Sequence, residues 1–285
     1  MITPTAPFSE QGAPSSGLTV TDAEVRANRR RALALAATEG LALGVVLGVV
    51  LGAVVSPLVG AVVGAAALVV LTVVVRRAAV GLSIFLLGAR PLEPGDQPRL
   101  ENLVEGLCAS FGLRVPSLLL IDEPVPNACA LGADPTAALV VTAGLLDRLG
   151  LMEMEGVVAH ELAHVKRHDA VVSAVALAVV GPLGWLTGDD RWLHRAVGRG
   201  REYRADQIGA ALVRYPPGLH DALASFEAYE VASSVAPDRG GSVFSGRRAA
   251  MSRWVWIDPS VGRRHAPTIG ELDATSVRIE ALAEW

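Results

Sequence analysis

Two long apolar stretches near the N-terminus constrain the fold of this chain more than any other feature. These stretches are residues 33–55 and 58–75. Thr38-Glu39 interrupts the first, and Ser56-Pro57 separates the two. At about 1.5 Å per helical residue, they span roughly 34 Å and roughly 27 Å, each close to the thickness of one bilayer core. The apolar region of a cleaved signal peptide would have only about 7 to 15 residues. The sequence therefore predicts a transmembrane helical hairpin within residues 19–77.

The composition also indicates a membrane protein, with the lipid bilayer as its first expected partner. Hydrophobic residues make up 51% of the 285 residues and charged residues only 19%, which is too apolar for an ordinary soluble domain. The net charge is -4 and Lys166 is the only lysine, so we do not expect nucleic acid as a partner. Cys108 and Cys129 are too few for a disulfide scaffold, and we expect two reduced, buried thiols.

Arginines flank the outer ends of the hairpin. They cluster at positions 26 and 29–31 before it and at 76–77 after it, and none lies in the Ser56-Pro57 turn. Since cytoplasmic flanks carry the excess of Lys and Arg, both ends of the hairpin are expected in the cytoplasm. The sequence thus predicts a multi-pass protein of the cell (inner) membrane whose later residues face the cytoplasm.

Glycines recur every four residues in the hairpin, at positions 44, 48, 52, 60 and 64. Small residues at this spacing would let two membrane helices approach closely. A general bias toward Gly, Ala and Val would produce the same pattern, so both interpretations stay open.

The segments around the hairpin complete the division of the chain. Residues 1–18 are rich in Pro, Ser, Gly and Thr and are expected to form a disordered tail. Thr21 and Glu24 match a capping box at a helix start. Residues 78–96 are interpreted as an interfacial segment and linker, because Arg90-Pro91 and Pro94-Gly95 interrupt a short apolar run. Residues 97–285 then form the cytosolic domain.

The pattern within this domain is typical of an α+β fold. Residues 99–111 have helical spacing, whereas Ser117–Ile121 is a short apolar run typical of a strand. Residues 127–132 and 138–142 complete a small sheet that precedes a helix at residues 144–149. The sequence predicts a mainly helical domain with a small sheet.

The stretch VVAHELAHVKRHD, residues 157–169, contains two histidines four residues apart. Because residues i and i+4 share one face of a helix, His160 and His164 could bind one metal ion, with Glu161 beside it. A solvated helix face is the alternative, since the HExxH pattern also occurs by chance. A catalytic zinc needs a third protein ligand, which has to come from elsewhere in the chain.

A candidate third ligand lies about 40 residues downstream, in REYRAD at residues 201–206, where Glu202 and Asp206 would share a helix face. The apolar residues 170–186 lie between the two motifs. A single membrane crossing there would place Glu202 on the wrong side. Gly181-Pro182-Leu183-Gly184 lies midway, so we expect a helical hairpin that turns at this point.

Four separated motifs now resemble one family. HELAH at residues 160–164, REYRAD, NACALG at residues 127–132 and the late RRHAPT with Arg278-Ile279-Glu280 are similar to the HtpX-like and CAAX-prenyl-protease-type integral-membrane zinc endopeptidases. The resemblance covers residues 90–282 and implies a zincin-like metalloprotease domain. It implies Zn²⁺ held by His160, His164 and Glu202, with Glu161 as general base.

The resemblance also implies roles for residues around the metal. Asp206 would accept a ring N–H from a ligating histidine. Asn127, Ala128 and Cys129 resemble an edge segment that pairs with an extended protein or peptide substrate through its backbone. His265 would stabilise the oxyanion, although a surface histidine in an Arg-rich loop is an equal alternative.

The expected function is endopeptidase activity, with a role in membrane protein quality control. Two other functions stay open at this point. A signal-transducing membrane protease would cleave a cytosolic regulator, and an inactive scaffold would keep the fold without hydrolysis. The oligomeric state does not follow from the sequence.

Overall fold

The computed structural model describes residues 19–213, 215–233, 242–259 and 275–284. The expected N-terminal tail and His265 lie outside these ranges. The helices are α1 (Asp22–Val54), α2 (Pro57–Leu87), α3 (Pro98–Phe111), α4 (Ala143–Arg148), α5 (Leu151–Arg167), α6 (Asp169–Val179), α7 (Gly181–Thr187), α8 (Arg191–Val197), α9 (Arg201–Ala210), α10 (Pro217–Ser233), α11 (Gly246–Ser252) and α12 (Thr275–Leu282). The strands are β1 (Arg90–Pro91), β2 (Ser117–Ile121), β3 (Ala128–Leu131) and β4 (Ala138–Thr142). The expected α+β class, mainly helical with a small sheet, is confirmed.

The hairpin consists of α1 and α2, which have 33 and 31 residues and are each long and apolar enough to cross a membrane. The capping box at Thr21 and Glu24 is present at the start of α1. Ser56 caps α2 by accepting from the Val59 N–H, and Pro57 occupies the first turn, where its missing N–H costs nothing. The connection between the two helices is therefore a defined turn.

The two helices of the hairpin touch through glycine. A Cβ atom on Gly60 would lie 2.3 Å from the Gly48 carbonyl oxygen, and one on Gly64 would lie 2.6 Å from that of Gly44. Since real side chains do not tolerate such distances, the structure supports the first of the two open interpretations, close helix approach through glycine, at these positions. Gly52 has ordinary space around it, with 3.8 Å to the nearest atom.

The second helix is longer than the sequence indicated. α2 runs without a break to Leu87 and ends at Gly88 in the left-handed region, so residues 78–87 are not a separate interfacial segment. The apolar run contains no residue that would stop a helix before Gly88. This added length brings Ser83 to α6, where its hydroxyl donates to the Ala174 carbonyl at 2.9 Å. The hairpin thus continues directly into the core of the following domain.

The sheet has the strand order β1-β2-β4-β3. β2 and β4 are parallel, with Ser117 opposite Ala138 and Ile121 opposite Thr142. β3 pairs antiparallel with β4 and forms the outer edge of the sheet. Helix α5 and the start of α6 lie against this edge strand. The edge therefore faces the helix that carries HELAH.

The segment between α5 and α9 is not a simple two-legged hairpin. A bend of 45° separates α6 from α7, at the position of Gly181 and Pro182. The chain then turns again after Gly188, which is in the left-handed region, and returns through α8. The expected reversal at residues 181–184 is wrong, because a proline in the first turn of a helix is compatible with continued helix and redirects the chain without reversing it.

Candidate metal centre

The HELAH motif lies inside α5 and is buried. His160 and His164 are 0% and 1% exposed, so the alternative of a solvated helix face is wrong. Their Nε2 atoms are 3.0 Å apart. Glu202 of α9 joins them, with its Oε2 atom 3.0 Å from His160 Nε2 and 3.4 Å from His164 Nε2. These three side chains form a group that could hold a metal ion.

Helix α9 reaches this position because it packs closely on α5. A Cβ atom on Gly209 would lie 2.9 Å from the His160 backbone nitrogen, so only glycine allows the two backbones to approach this far. Gly209 is two helical turns after Glu202, on the side of α9 that faces α5. The close approach brings the carboxylate of Glu202 to the two histidines.

Both imidazole rings have a carboxylate behind them. His164 Nδ1 lies 2.9 Å from Asp169 Oδ1, and His160 Nδ1 lies 2.7 Å from Asp206 Oδ1. The second contact is short, but its geometry is not that of a regular hydrogen bond. A carboxylate at Nδ1 favours the proton on that nitrogen, which leaves the Nε2 lone pair directed at the shared centre.

Two buried arginines hold the carboxylates in turn. Arg201 Nε donates to Glu202 Oε1 at 2.7 Å, and its guanidinium also donates to the Ser173 hydroxyl. Arg278 binds Asp206 through two parallel bonds of 2.7 Å each, a geometry that fixes a carboxylate firmly. One oxygen of Glu202 is therefore committed to Arg201, and the other faces the histidines.

The charges around the centre shift the pKa values of its acids in opposite directions. Burial raises the pKa of Glu202, but the positive charges of His164 and Arg201 outweigh it and hold this pKa well below its usual range. For Glu161, burial prevails and raises the pKa, although the two histidines oppose it. Glu202 is thus held as a carboxylate, whereas Glu161 is suited to accept and release a proton.

The histidine next to Asp169 is also perturbed. Burial lowers the pKa of His164, but the negative charges of Asp169 and Glu202 prevail and raise it to about 9. A cation is therefore favoured among these acids. A metal ion bound between the histidines and Glu202 could supply that positive charge.

The edge segment expected to bind substrate lies beside this centre. Asn127 and the strand residues Ala128 and Cys129 are fully buried. Burial raises the pKa of the Cys129 thiol well above its usual value, and the negative charge of Glu161 raises it further. The sequence predicts a free backbone in this segment. Instead, the Ala128 carbonyl accepts from the Ile257 N–H at 2.9 Å.

Asp169, Arg201 and Arg278 were not assigned roles at the metal centre from the sequence. Asp169 lies only five residues after His164, within the quoted HELAHVKRHD stretch, so its position was a usable signal. Arg201 precedes Glu202 directly, but adjacent residues on a helix normally point apart, and its side chain returns to Glu202 only because it is buried. Nothing in the spacing of Arg278 indicates that it binds Asp206.

The family of the chain follows from comparison with known sequences. Residues 94–190 match Peptidase family M48, a range that includes HELAH but ends before Glu202. A Protease HtpX homolog from Tropheryma whipplei is 37% identical over 180 residues, which are 51% of this chain and 62% of the relative. One from Dictyoglomus thermophilum is 36% identical over 171 residues, covering 48% of this chain and 56% of the relative.

A longer match has the same name. A Protease HtpX homolog from Thermococcus sibiricus is 31% identical over 230 residues, covering 68% of this chain and 76% of the relative. No solved structure matches the chain. The chain spans less than two thirds of the Tropheryma and Dictyoglomus relatives, but the Thermococcus match extends past HELAH and the membrane hairpin precedes it. On these grounds, the chain belongs to the HtpX-like membrane proteases of peptidase family M48.

Proposed function

We propose that this protein is a membrane-anchored zinc endopeptidase that hydrolyses peptide bonds in proteins. One observation carries the proposal. Two histidine nitrogens and one carboxylate oxygen converge within 3.0 to 3.4 Å of one another in a buried site, and a second carboxylate, Glu161, follows the first histidine directly.

The residues present fit a zinc ion. Two imidazole nitrogens and one carboxylate oxygen are a donor set found in catalytic zinc sites with one open position. Donor atoms this close together can share one ion with bonds of about 2.0 to 2.2 Å. The remaining polar atoms of the three side chains already have partners in Asp169, Asp206 and Arg201, so the atoms that face the centre are the ones left for a metal.

The chain's own residues divide the work of hydrolysis. When bound, zinc would supply a Lewis acid that activates water and polarises the scissile carbonyl. Glu161 accepts the proton of the attacking water and passes it to the leaving amine. Asp169 and Asp206 keep the rings of the histidines oriented, and Arg201 holds one oxygen of Glu202 so that the other faces the histidines. His265 remains a candidate for stabilising the oxyanion.

The membrane hairpin sets the place of the reaction. We infer from the arginine distribution that the protein is multi-pass and that the catalytic domain faces the cytoplasm. The division into a hairpin and a catalytic domain from about residue 97 is part of the same proposal. A site beside the bilayer supports a role in quality control of membrane proteins, with protein or peptide chains as substrates.

The proposal is tested with the full chain in detergent micelles. We expect about one zinc per chain and cleavage of unfolded casein that a chelator abolishes. Glu161→Gln should keep the zinc and lose at least about 10²-fold in rate, the usual contribution of a general base. Retained zinc with no hydrolysis by the unaltered protein would instead favour a scaffold.

A further inference from the structure

The segment that follows α11 lies on the open edge of the sheet, next to the metal centre. The Asn127 backbone carbonyl accepts from the Thr142 backbone N–H at 3.1 Å. The backbone N–H and carbonyl of the next residue, Ala128, therefore face away from β4. There the Ala128 carbonyl accepts from the Ile257 N–H at 2.9 Å. Ile257 is therefore bound to β3 in the manner of an added strand residue.

The residue after Ile257 is held through its main chain as well. The Asn127 amide nitrogen donates to the Asp258 carbonyl at 2.9 Å, and its amide oxygen accepts from the Asp258 N–H at 3.2 Å. One side-chain amide thus pairs with both backbone groups of one residue. Such pairing would accept almost any residue at this position, because it uses no side-chain atom of Asp258.

The same segment is connected to the metal centre. The Ile257 carbonyl accepts from Arg278, and the same guanidinium holds Asp206, which lies 2.7 Å from His160 Nδ1. Both backbone groups of Ile257 are therefore bound, one by the edge strand and the other by an arginine of the site. An extended peptide held at both groups has a defined direction and register.

The side chains of the segment fill the space beside the centre. Ile257 is 1% exposed and belongs to the buried apolar cluster to which α5, α9 and α12 contribute. Trp254, Trp256 and Pro259 line a small recess together with Arg201 and Glu202. The segment therefore borders a recess that contains the candidate metal ligand Glu202.

We propose that residues 256–258 are an internal peptide that occupies the substrate groove, so that a substrate must displace this segment before it is cleaved. The inference rests on the proposed peptidase function. The pocket filled by Ile257 also indicates the substrate class: extended chains with an aliphatic residue at the Ile257 position, followed by a residue whose backbone groups pair with the Asn127 amide. Because a tethered segment competes at a high effective concentration, an unfolded chain with several such sequences would compete best.

Two substitutions weaken the segment without touching the metal ligands or the general base. Ile257→Ala empties the apolar pocket. Thr275→Val removes the hydroxyl that donates to Asp258 Oδ1 at 2.6 Å. Thr275 is in α12 and does not belong to the edge strand β3. Thr275→Val should raise kcat/KM for casein by roughly 2- to 10-fold, the factor that one buried hydrogen bond is worth. Ile257→Ala should raise it by at least about 10-fold, because loss of a buried isoleucine side chain weakens a contact more than loss of one hydrogen bond does. The rise should come mainly from a lower KM, which a merely structural role would not produce.

The matched control is Leu223→Ala, a buried leucine of α10 in the same apolar cluster as Ile257. It should lower the melting temperature without raising kcat/KM. If all three substitutions reduce activity in proportion to lost stability, the segment is a structural part of the domain and the inference is overturned. Thr275→Val keeps the test decisive if Ile257→Ala does not fold.

A binding measurement separates this inference from the proposed function. The labelled peptide Trp-Val-Trp-Ile-Asp-Pro, residues 254–259, should bind zinc-loaded Thr275→Val roughly 2- to 10-fold more tightly than the unaltered protein. The reason is that the substitution weakens the competing internal segment by the same factor. Tighter peptide binding without any casein hydrolysis would overturn the peptidase proposal and leave the self-occupied groove in place. Casein hydrolysis with equal peptide binding by both proteins would overturn only the inference.

Discussion

At the residue scale, each atom that faces the candidate metal position is held from behind by a charged side chain. Asp169 and Asp206 stand behind the two histidines, and Arg201 stands behind Glu202. Arg278 extends this arrangement by one further layer. Such buried charges are tolerated because they are paired, and removal of one partner leaves another uncompensated. Substitutions around the centre should therefore have graded effects, according to how directly each residue touches the metal.

The first comparison is between Glu202 and Asp206. Glu202→Gln replaces a charged oxygen donor by a neutral amide and should weaken zinc binding markedly. Asp206→Asn leaves the three donors in place and should cost about 10- to 100-fold in affinity or activity. Zinc content and casein hydrolysis should be measured for both, with and without added zinc. Excess zinc should restore the Asp206 variant more readily, and unaltered zinc retention by Glu202→Gln would remove Glu202 from the ligand set.

A second comparison concerns Asp169, which the sequence did not assign a role. Asp169→Asn should lower zinc affinity by about 10- to 100-fold, because an amide orients the His164 ring less strongly than a carboxylate does. Asp122→Asn is the matched control, since that carboxylate is exposed and pairs with Arg90 at the surface. Competition with a zinc chelator measures both affinities. Equal affinities in the two variants would contradict the role of Asp169.

At the scale of elements, the hairpin depends on close contact between two glycine-bearing helices. With no hydrophobic driving force between helices inside a bilayer, close packing carries much of the association. The Gly48 and Gly60 backbones are so close that one added methyl group has no room. The same helix α2 contains Gly81, where a Cβ atom would meet no atom within 4 Å. Substitutions at Gly60 and Gly81 therefore distinguish the effect of helix contact from the effect of helix propensity.

Gly60→Ala should destabilise the protein, because overpacking of a close contact typically costs about 1 to 3 kcal/mol. Gly81→Ala should be neutral or slightly stabilising, because alanine is the better helix former by about 1 kcal/mol. Thermal unfolding in detergent micelles measures both. A similar melting temperature for the two variants would show that the close approach at Gly60 contributes no stability.

At the scale of the whole molecule, the membrane hairpin and the domain that follows it share one core. Ala32 and Ala36 of α1 and Ala79 of α2 are buried in the same apolar cluster as Val172 and Leu177 of α6. Asn28 of α1 also donates to the Arg167 carbonyl at the end of α5, at 2.9 Å. Helix α5, which carries HELAH, is thus held directly by the base of the hairpin, and the orientation of the hairpin determines the side on which the candidate metal centre lies.

The proposed orientation can be measured by cysteine labelling of intact cells. Cys108 and Cys129 are buried, and burial raises the pKa of Cys108 to about 11, so neither should react readily at neutral pH. After both are replaced by alanine, Val55→Cys in the hairpin turn should react with an impermeant thiol reagent from outside. Ser110→Cys, exposed on α3, should react only after the membrane is opened. The reverse pattern would place the catalytic domain outside the cytoplasm.

Features that depend on local spacing were predictable from the sequence. The two membrane helices follow from the length of the apolar runs, the strand Ser117–Ile121 from its short apolar pattern, and the shared face of His160 and His164 from the helical repeat. Glu202 was identified as a candidate ligand because a catalytic zinc site needs a third protein donor, and the REYRAD motif offers a carboxylate. These inferences need only the period of a helix or strand and the chemistry of the side chains.

Features that depend on the path of the chain between elements were decided by the tertiary structure. The 45° bend after α6 redirects the chain where the sequence predicted a reversal, because Gly and Pro indicate a break but not its angle. Pairing of Arg278 with Asp206 and of Ile257 with Ala128 joins residues 72 and 129 positions apart. No local pattern specifies such pairs, since they arise only when several helices pack around the same edge of the sheet and bring buried polar groups to the one partner within reach.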